Sequence, residues 1–325
     1  MNEPRIAVLI PCFNEEAAIA KVVADFRAAL PGACIYVYDN NSADGTAAAA
    51  RAAGAVVRSE GLQGKGHVIR RMFADIEADA YVLVDGDDTY DAAAAAAMVR
   101  RLLAEQLDMV NGRRVAADAG LAWRRGHRFG NRLLSGLVRR IFGNRVQDML
   151  SGYRVFSRRF VKTFPALASG FETETEFTIH ALEMMMPLAE MDVAYRERPL
   201  GSASKLRTYS DGLRILRTIL VLVKEERPLS FFSLAGLLLL LAGIVLGVPI
   251  LLTYLHTGLV PRLPTAVLAT GVEMLAFLSF TCGLILDSVA RGRRETKRLA
   301  YLAIPRVGLD GEDNEALAAS LRRTI

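Results

Sequence analysis

The stretch Tyr81-Val-Leu-Val-Asp85-Gly-Asp87-Asp88-Thr-Tyr-Asp91 decides the fold and the chemistry that we predict for this chain. Its apolar start is typical of a parallel strand that is covered on both faces. Ligands of open α/β sheets bind at the carboxyl ends of the strands, where this turn lies. Because packed carboxylates repel one another, they stay ionised most readily beside a cation. Asp85 and Asp87 are therefore predicted to hold a hard divalent ion that also contacts substrate phosphates.

Three interpretations of this turn are open from the stretch alone. It fits the Asp-x-Asp metal site of a nucleotide-sugar transferase. The pattern DGDDT also fits the nucleophile loop of a haloacid-dehalogenase-type phosphatase. The third interpretation is a solvated acidic turn that caps a helix beginning near Asp91.

Length and composition narrow the class of protein. The 325 residues leave room for one large domain, or for one domain with an appendage. A hydrophobic content of 52% is high for a purely soluble protein, and a net charge of +5 favours an anionic partner. The basic residues lack the interleaved aromatics of a nucleic-acid surface, so we expect a membrane and no nucleic acid. Three scattered cysteines suit a reducing cytoplasm, and the N-terminus lacks the charged region of a signal peptide.

Short apolar runs alternate with helical stretches along the first part of the chain. This spacing predicts βαβ units and a parallel sheet. The predicted strands cover residues 5–11, 34–38, 55–58, 81–84 and 108–111. The predicted helices end near residues 30, 53, 76 and 103, and a later one covers residues 172–186.

Polar clusters follow four of these strands. They are Asn14-Glu15, Asp39, the loop 63–65 with Lys65, and Asp85 with Asp87. If the sheet is parallel, all four lie at one edge of it. Asp39 on its own is more often part of an Asx turn. Together the clusters predict a pocket for a nucleoside diphosphate and a metal.

The composition changes at Phe231, where long apolar segments begin. Residues 231–255 and 264–290 are each long enough to cross a membrane, and basic residues flank the outer ends of the pair. Both ends are therefore predicted to be cytoplasmic. Glu273, inside the second segment, is predicted to have a structural role, for example facing a partner helix. A helix at 126–142 fits either a core helix or one lying on anionic lipid.

The motifs IPCFNEE, YDNNSADGT, GLQGKG, DGD and DMLSGYR, in this order, resemble a family-2 glycosyltransferase of the GT-A fold. With the apolar hairpin, residues 5–300 are similar to polyprenyl-phosphate glycosyltransferases such as dolichol-phosphate mannose synthases and undecaprenyl-phosphate glucosyltransferases. The implied fold class is α/β, a Rossmann-like nucleotide-sugar-binding domain followed by a two-helix transmembrane hairpin. The implied domains are a cytoplasmic catalytic domain (1–209), an interfacial amphipathic helix (210–230), two membrane helices (231–290) and a basic cytoplasmic tail (291–325).

The resemblance implies a role for each matching residue. The nucleotide sugar would contact Lys65, Asp85 and the nucleoside-binding residues Pro11, Phe13, Glu15 and Asp39. Asp85 and Asp87 would hold Mg²⁺ or Mn²⁺ on the diphosphate, with Asp87 the more direct ligand. Asp148, in DMLSGYR, would lie at the reacting centre. The residues implied for the acceptor phosphate are Arg113, Arg128, Ser151, Arg154 and Lys205.

The implied reaction transfers a sugar to a membrane polyprenyl phosphate with inversion. The acceptor is already anionic, so Asp148 is expected to orient it or to stabilise an oxocarbenium-like centre. Asn40 departs from the family, which commonly has a second aspartate there, and this leaves the base preference open. Sugar, lipid length and any homo-oligomer also stay open.

Other functional classes fit less well. A phosphatase of this type expects DGDDT early in the chain and a later acidic pair after a strand. A processive polysaccharide synthase usually carries QxxRW, which this sequence lacks. A non-enzymatic membrane subunit would not need polar clusters after four strands.

Overall fold

The computed structural model describes residues 4–116, 136, 146–170, 172–196 and 208–305. The chain forms two compact units. One contains Met1–Leu216 and Lys297–Ile325, and the other contains Arg217–Thr296. The helix predicted at 126–142 lies outside the described residues, apart from the helical Gly136.

A mixed seven-stranded sheet forms the centre of the first unit. Its strands are β1 (Ile6–Cys12), β2 (Cys34–Asp39), β3 (Val56–Ser59), β4 (Ala80–Leu83), β5 (Met109–Ala116), β6 (Arg154–Ser157) and β7 (Leu188–Tyr195). The strand order is β3-β2-β1-β4-β6-β5-β7. β1 to β4 pair in parallel, as predicted, but β6 runs antiparallel to both of its neighbours. The sequence predicts neither β6 nor β7, and the antiparallel β6 corrects the expectation that the sheet is parallel throughout.

Helices cover the sheet, and all of them except α5 lie where the sequence predicts a helix. They are α1 (Glu16–Ala29), α2 (Thr46–Ala52), α3 (Lys65–Asp75), α4 (Ala94–Ala104), α5 (Arg158–Thr163) and α6 (Thr173–Glu183). In α1 the buried Ile19, Val22, Val23 and Phe26 recur at the spacing of one helix face. These side chains pack against those of β1 and β2 in the main hydrophobic core.

The antiparallel strand has a direct consequence for the site. Leu83, at the end of β4, pairs with Arg154, at the start of β6. The segment before β6 therefore reaches the sheet at the same edge where β4 ends. This segment is the DMLSGYR motif, so Asp148 approaches the edge that carries Asp85.

Two long apolar helices belong largely to the second unit. After α7 (Thr208–Glu226) come α8 (Pro228–Thr257) and α9 (Leu263–Leu302). The most apolar windows of α8 and α9 have a mean hydropathy of 2.7 and 1.7, and only 11% and 17% of those windows is buried. A core helix of a soluble protein is mostly buried. By length and composition α8 and α9 are candidate membrane spans.

Small residues line the contact between α8 and α9. A Cβ on Gly243 would lie 2.5 Å from a carboxylate oxygen of Glu273, so this acid packs directly against the facing helix. Ser279 also donates a hydrogen bond of 2.9 Å to the carbonyl of Phe232. This contact agrees with the prediction that Glu273 faces a partner helix.

Gly243→Val should loosen this helix pair, because its side chain would overlap Glu273. Overpacking of this kind costs about 1–3 kcal/mol. Gly247→Val is the matched control, since nothing lies within 4 Å of a Cβ at Gly247. Thermal unfolding in detergent should show a lower midpoint for the first variant only. Equal midpoints for the two variants would contradict the observed contact.

The end of α9 belongs to the first unit. The Tyr301 hydroxyl donates to Asp108 at 2.7 Å, and Arg159 donates to the carbonyl of Ile304 at 2.7 Å. Lys297 pairs with Glu183 at 3.1 Å. Residues 297–305 are thus attached by polar contacts to α5, to α6 and to Asp108, just before β5.

Candidate active site

The ends of β1 and β2 are joined into one polar corner. The backbone N–H of Asn14 donates to the Ser42 hydroxyl at 2.9 Å, and that of Glu15 donates to the Thr46 hydroxyl at 2.8 Å. Asp39 is 9% exposed, and its Oδ1 has no hydrogen-bond partner among the described residues. A buried, unsatisfied acceptor is costly unless a ligand donates to it. Of the residues implied for the nucleoside, the structure brings together Pro11, Phe13, Glu15 and Asp39.

The carboxylate turn follows β4 at the same edge. Gly86 packs so closely on the end of β1 that a Cβ there would lie 2.6 Å from the Cys12 sulfur. Asp87 is 3% exposed, and its Oδ1 accepts hydrogen bonds from the N–H and hydroxyl of Thr89, at 3.2 and 2.6 Å. Asp85 is more accessible. The turn is therefore held rigidly, with two carboxylates in it.

Lys65 connects this turn to a residue that the sequence analysis missed. Its ammonium group lies between Asp85 and Glu174, on α6, and pairs with both. Burial alone would lower the pKa of Lys65, but the charges of Asp85 and Glu174 raise it above its usual value. Burial raises the pKa of Glu174, and the Lys65 charge opposes that shift. The one available signal was an acidic run, Glu172-Thr-Glu174-Thr-Glu176, in a helix that is otherwise largely apolar.

Asp148 lies in a second polar cluster that also contains an unpredicted residue. Arg114 donates to both of its carboxylate oxygens, at 2.7 and 2.8 Å. Glu190 accepts from the Asp148 N–H, and Asn111 donates to the Asp148 carbonyl. Both Asp148 and Arg114 are largely buried, with side chains 7% and 13% exposed. Such bidentate, charge-assisted pairs fix the orientation of both partners.

A glycine places the two clusters at one edge of the sheet. Gly152, in DMLSGYR, lies so close to Asp85 that a Cβ would be 2.3 Å from Oδ2 of that carboxylate. The N–H of Gly152 donates to the Tyr90 hydroxyl at 2.9 Å. A side chain at position 152 would therefore displace the Asp85 carboxylate from its present position.

Of the residues implied for the acceptor phosphate, the structure describes Arg113, Ser151 and Arg154, and these three do not form one group. Arg113 pairs with Asp192 at 2.6 and 2.7 Å and is about one-third exposed. Arg128 and Lys205 lie outside the described residues. Among the described residues it is Arg114, and not Arg113, that pairs with Asp148 at the predicted reacting centre.

Arg154 and Ser151 are in the interior of the domain. Arg154 is fully buried and donates to the carbonyls of Ser151, Met149 and Glu174. Burial lowers the pKa of Arg154 to about 10. Ser151 is also fully buried and donates to the Gly112 carbonyl. The expectation that they bind an acceptor phosphate does not fit, because backbone carbonyls already take their donors and neither is exposed.

Arg154→Met should therefore destabilise the domain. It removes the donors of three buried carbonyls, and breaking a buried charged network costs about 3–5 kcal/mol. Arg158→Met, which removes a half-exposed arginine paired with Glu77 at 3.3 Å, should cost less than about 1 kcal/mol. Chemical denaturation measures both values. Equal stability of the two variants would contradict the structural role of Arg154.

Asp85 and Asp87 fit a metal ion for which the protein supplies only some of the ligands and the substrate supplies others. In the described part of the chain, no group of three or more His, Cys, Asp or Glu side chains is arranged to hold a metal by itself. Mg²⁺, however, is commonly bound by one or two carboxylates, with water and substrate phosphates completing its coordination. Two carboxylates in one rigid turn meet that requirement.

Comparison with known proteins gives the family. The model of glycosyl transferase family 2 matches residues 7–164. The glycosyltransferase AglJ of Haloferax volcanii is 31% identical over 307 residues, which covers 91% of this chain and 98% of that protein. A dolichyl-phosphate hexose transferase of the same organism is 28% identical over 222 residues, covering 68% of this chain and 95% of that protein.

A solved structure shows the same fold. Glucosyl-3-phosphoglycerate synthase of Mycobacterium tuberculosis, in complex with Mn²⁺, UDP and phosphoglyceric acid, has a TM-score of 0.56 and 24% identity. The match covers 67% of this chain and 78% of that chain. The predicted GT-A fold is thus confirmed for the sheet and its helices. Sequence, fold and carboxylate turn agree that the chain is a glycosyltransferase and belongs to glycosyl transferase family 2.

Proposed function

We propose that this chain transfers a sugar from a nucleotide sugar to the phosphate of a polyprenyl phosphate in a membrane. The observation that carries the proposal is the shared sheet edge, where the turn of Asp85 and Asp87 lies beside the segment of Asp148. The dolichyl-phosphate hexose transferase relative supports a lipid phosphate as the acceptor. The candidate spans α8 and α9 support a location at the membrane.

The donor is bound along the edge, from β2 to β4. Asp39 offers its unsatisfied Oδ1 to the base or ribose, with Glu15 beside it. Asp85 and Asp87 would hold the divalent ion, Mg²⁺ or Mn²⁺, and Lys65, which pairs with Asp85 and Glu174, would keep the Asp85 carboxylate in place beside the diphosphate. When bound, the metal offsets the negative charge that builds up on the leaving nucleoside diphosphate.

The acceptor phosphate acts as the nucleophile. One of its oxygens forms a bond to the anomeric carbon while the bond from that carbon to the β-phosphate oxygen breaks, and the electron pair leaves with the nucleoside diphosphate. A single displacement inverts the anomeric configuration. Asp148, held by Arg114, would stabilise the positive charge that develops on the sugar. Since a phosphate is already ionised near neutral pH, the reaction needs little help from a base.

The proposal includes a membrane topology for the chain. Residues 1–209 form a cytoplasmic catalytic domain, and the helix at 210–230 lies on the membrane surface. Segments 231–255 and 264–290 cross the membrane and return the chain to the cytoplasm, where 291–325 remain. Basic residues at the outer ends of the hairpin support this orientation.

A substrate panel tests the proposal. Purified protein in detergent is incubated with a polyprenyl phosphate and, in turn, UDP-, GDP- and dTDP-linked sugars, and lipid products are identified by mass spectrometry. We expect one donor to give a polyprenyl-phosphate monosaccharide with inverted configuration. A parallel series contains phosphoglyceric acid as a soluble acceptor. Transfer to the soluble acceptor alone would overturn the lipid assignment.

A further inference from the structure

The side chain of Asn40 fixes the loop that leads to Lys65. This loop, residues 60–64, connects β3 to α3. The Asn40 amide donates to the carbonyls of Glu60 and Leu62 at 2.9 and 2.8 Å, and its Oδ1 accepts from the N–H of Gly64 at 2.7 Å. Asn40 is only 3% exposed. One side chain thus satisfies backbone groups at both ends of the loop.

Asn40 is itself attached to the sheet. Its N–H donates to the Cys12 carbonyl at the end of β1, at 2.9 Å, and the N–H of Glu60 donates to the Asp39 carbonyl at 2.9 Å. The side chain therefore joins a fixed strand end to a loop with no regular secondary structure of its own. Buried bonds of this kind determine the conformation of such a loop.

The chemistry at this position requires an amide. Two of the three partners are carbonyls, which accept hydrogen bonds, and one is an N–H, which donates. An asparagine supplies two donors and an acceptor, whereas an ionised aspartate only accepts. Asp in place of Asn40 would lose two buried hydrogen bonds and turn a negative charge toward two carbonyl oxygens.

The end of the loop sets the position of Lys65. Gly64 has a φ of 136°, and a Cβ there would lie 2.2 Å from the Ser169 carbonyl oxygen. The backbone at Gly64 therefore passes very close to the backbone at Ser169. Lys65 follows at once and reaches both Asp85 and Glu174. A shift of the loop would move the lysine away from both carboxylates.

We infer that Asn40 is a positioning residue that fixes the loop 60–64 and thereby places Lys65 at the nucleoside-diphosphate site. The expected effect on nucleotide affinity rests on the proposed function. The role of Asn40 in holding the loop rests on the observed hydrogen bonds alone. It also gives a physical reason for the asparagine at position 40, where the family commonly has an aspartate. In this chain Asn40, the third residue of the YDNNSADGT turn, holds a loop by hydrogen bonds instead of carrying a charge.

Nucleotide binding by two matched variants tests the inference. Asn40→Asp is compared with Asn41→Asp, because the exposed Asn41 also donates to the loop, at 2.9 Å to the Gly61 carbonyl. Calorimetric titration with UDP and GDP in the presence of Mn²⁺ should show Asn40→Asp binding at least about tenfold more weakly than the full wild-type protein. The affinity of Asn41→Asp should differ from that of the wild type by less than about threefold. Equal affinities for the wild type and Asn40→Asp would overturn the inference.

Hydrogen exchange separates this inference from the proposed function. In the wild-type protein the Gly64 N–H should exchange slowly, and in Asn40→Asp it should exchange faster, with the β1 amides unchanged. Rapid exchange at Gly64 in the wild type would overturn the inference even if the variant did not fold. If the wild type bound neither nucleotide but protected Gly64, the proposed function would fail while the role of Asn40 in the loop stood.

Discussion

Asp87→Asn should lower the rate of sugar transfer by about a thousandfold while the protein keeps its fold. Asp87 is buried, and its Oδ1 accepts from the backbone N–H and hydroxyl of Thr89. An asparagine oxygen can accept both hydrogen bonds, so the turn keeps its internal contacts. What the variant loses is the negative charge that we propose binds the divalent ion. Turnover is measured by mass spectrometry of the lipid product, with a thermal unfolding curve for each protein.

Asp88→Asn is the matched control, one residue further along the same turn. Asp88 has a φ of 57°, which asparagine also tolerates, and it pairs with Lys21 at 2.8 Å. Losing this surface pair should change turnover by less than about threefold. Treating the wild-type enzyme with EDTA should have the effect of Asp87→Asn, with activity restored by Mn²⁺ or Mg²⁺. Full activity of Asp87→Asn, or of the wild type in EDTA, would contradict the metal site.

The strand ends of the site were predictable because parallel strands share an edge. Asp39 and Asp85 each follow an apolar run of strand length, and their strands pair with β1 in the expected direction. The prediction that Asp148 lies near Asp85, at the reacting centre, depended only on the resemblance of the DMLSGYR motif. Its physical basis is the antiparallel β6, whose start lies beside the end of β4. Periodicity does not reveal strand direction, so the sequence could not supply that step.

Arg113 and Arg114 illustrate a second limit. Neighbouring residues of a strand point to opposite faces of the sheet, so only one of two adjacent arginines can face the site. In the structure Arg113 pairs in register with Asp192 of β7, and Arg114 turns to Asp148. The choice depends on the β5–β7 register, which involves residues about 80 positions apart. Nothing local in the Gly112-Arg113-Arg114 sequence distinguishes the two.

Burial was the third property that the sequence did not reveal. Arg154 was expected to bind an anion because arginines bind phosphates. Its guanidinium instead holds backbone carbonyls in the interior. Glu174 was overlooked for the opposite reason, since a glutamate in a helix is usually solvated. Here it is buried and pairs with Lys65. Charged residue types identify a chemistry, but tertiary packing decides whether it faces a ligand.

The second large effect is expected at Asp148. Asp148→Asn should lower kcat by about a hundredfold or more and leave donor affinity nearly unchanged, because an interaction made mainly in the transition state affects kcat. The carboxylate accepts two hydrogen bonds from the Arg114 guanidinium, and an amide can accept only on its oxygen side. The variant thus loses the negative charge that we propose lies next to the sugar, and the fixed orientation of Arg114. Steady-state kinetics and nucleotide titration separate the two effects.

Asp192→Asn is the control for Asp148→Asn. Asp192 makes the same kind of two-bond pair, with Arg113, but its side chain is 56% exposed. Solvent competes with an exposed pair, so its loss should change kcat by less than about threefold. If Asp148→Asn lost donor affinity and kept kcat, Asp148 would belong to the nucleotide site. If both variants lost kcat equally with native unfolding curves, proximity to the reacting centre would not explain the effect. A loss of kcat at Asp148 alone would place the transition-state charge next to this carboxylate.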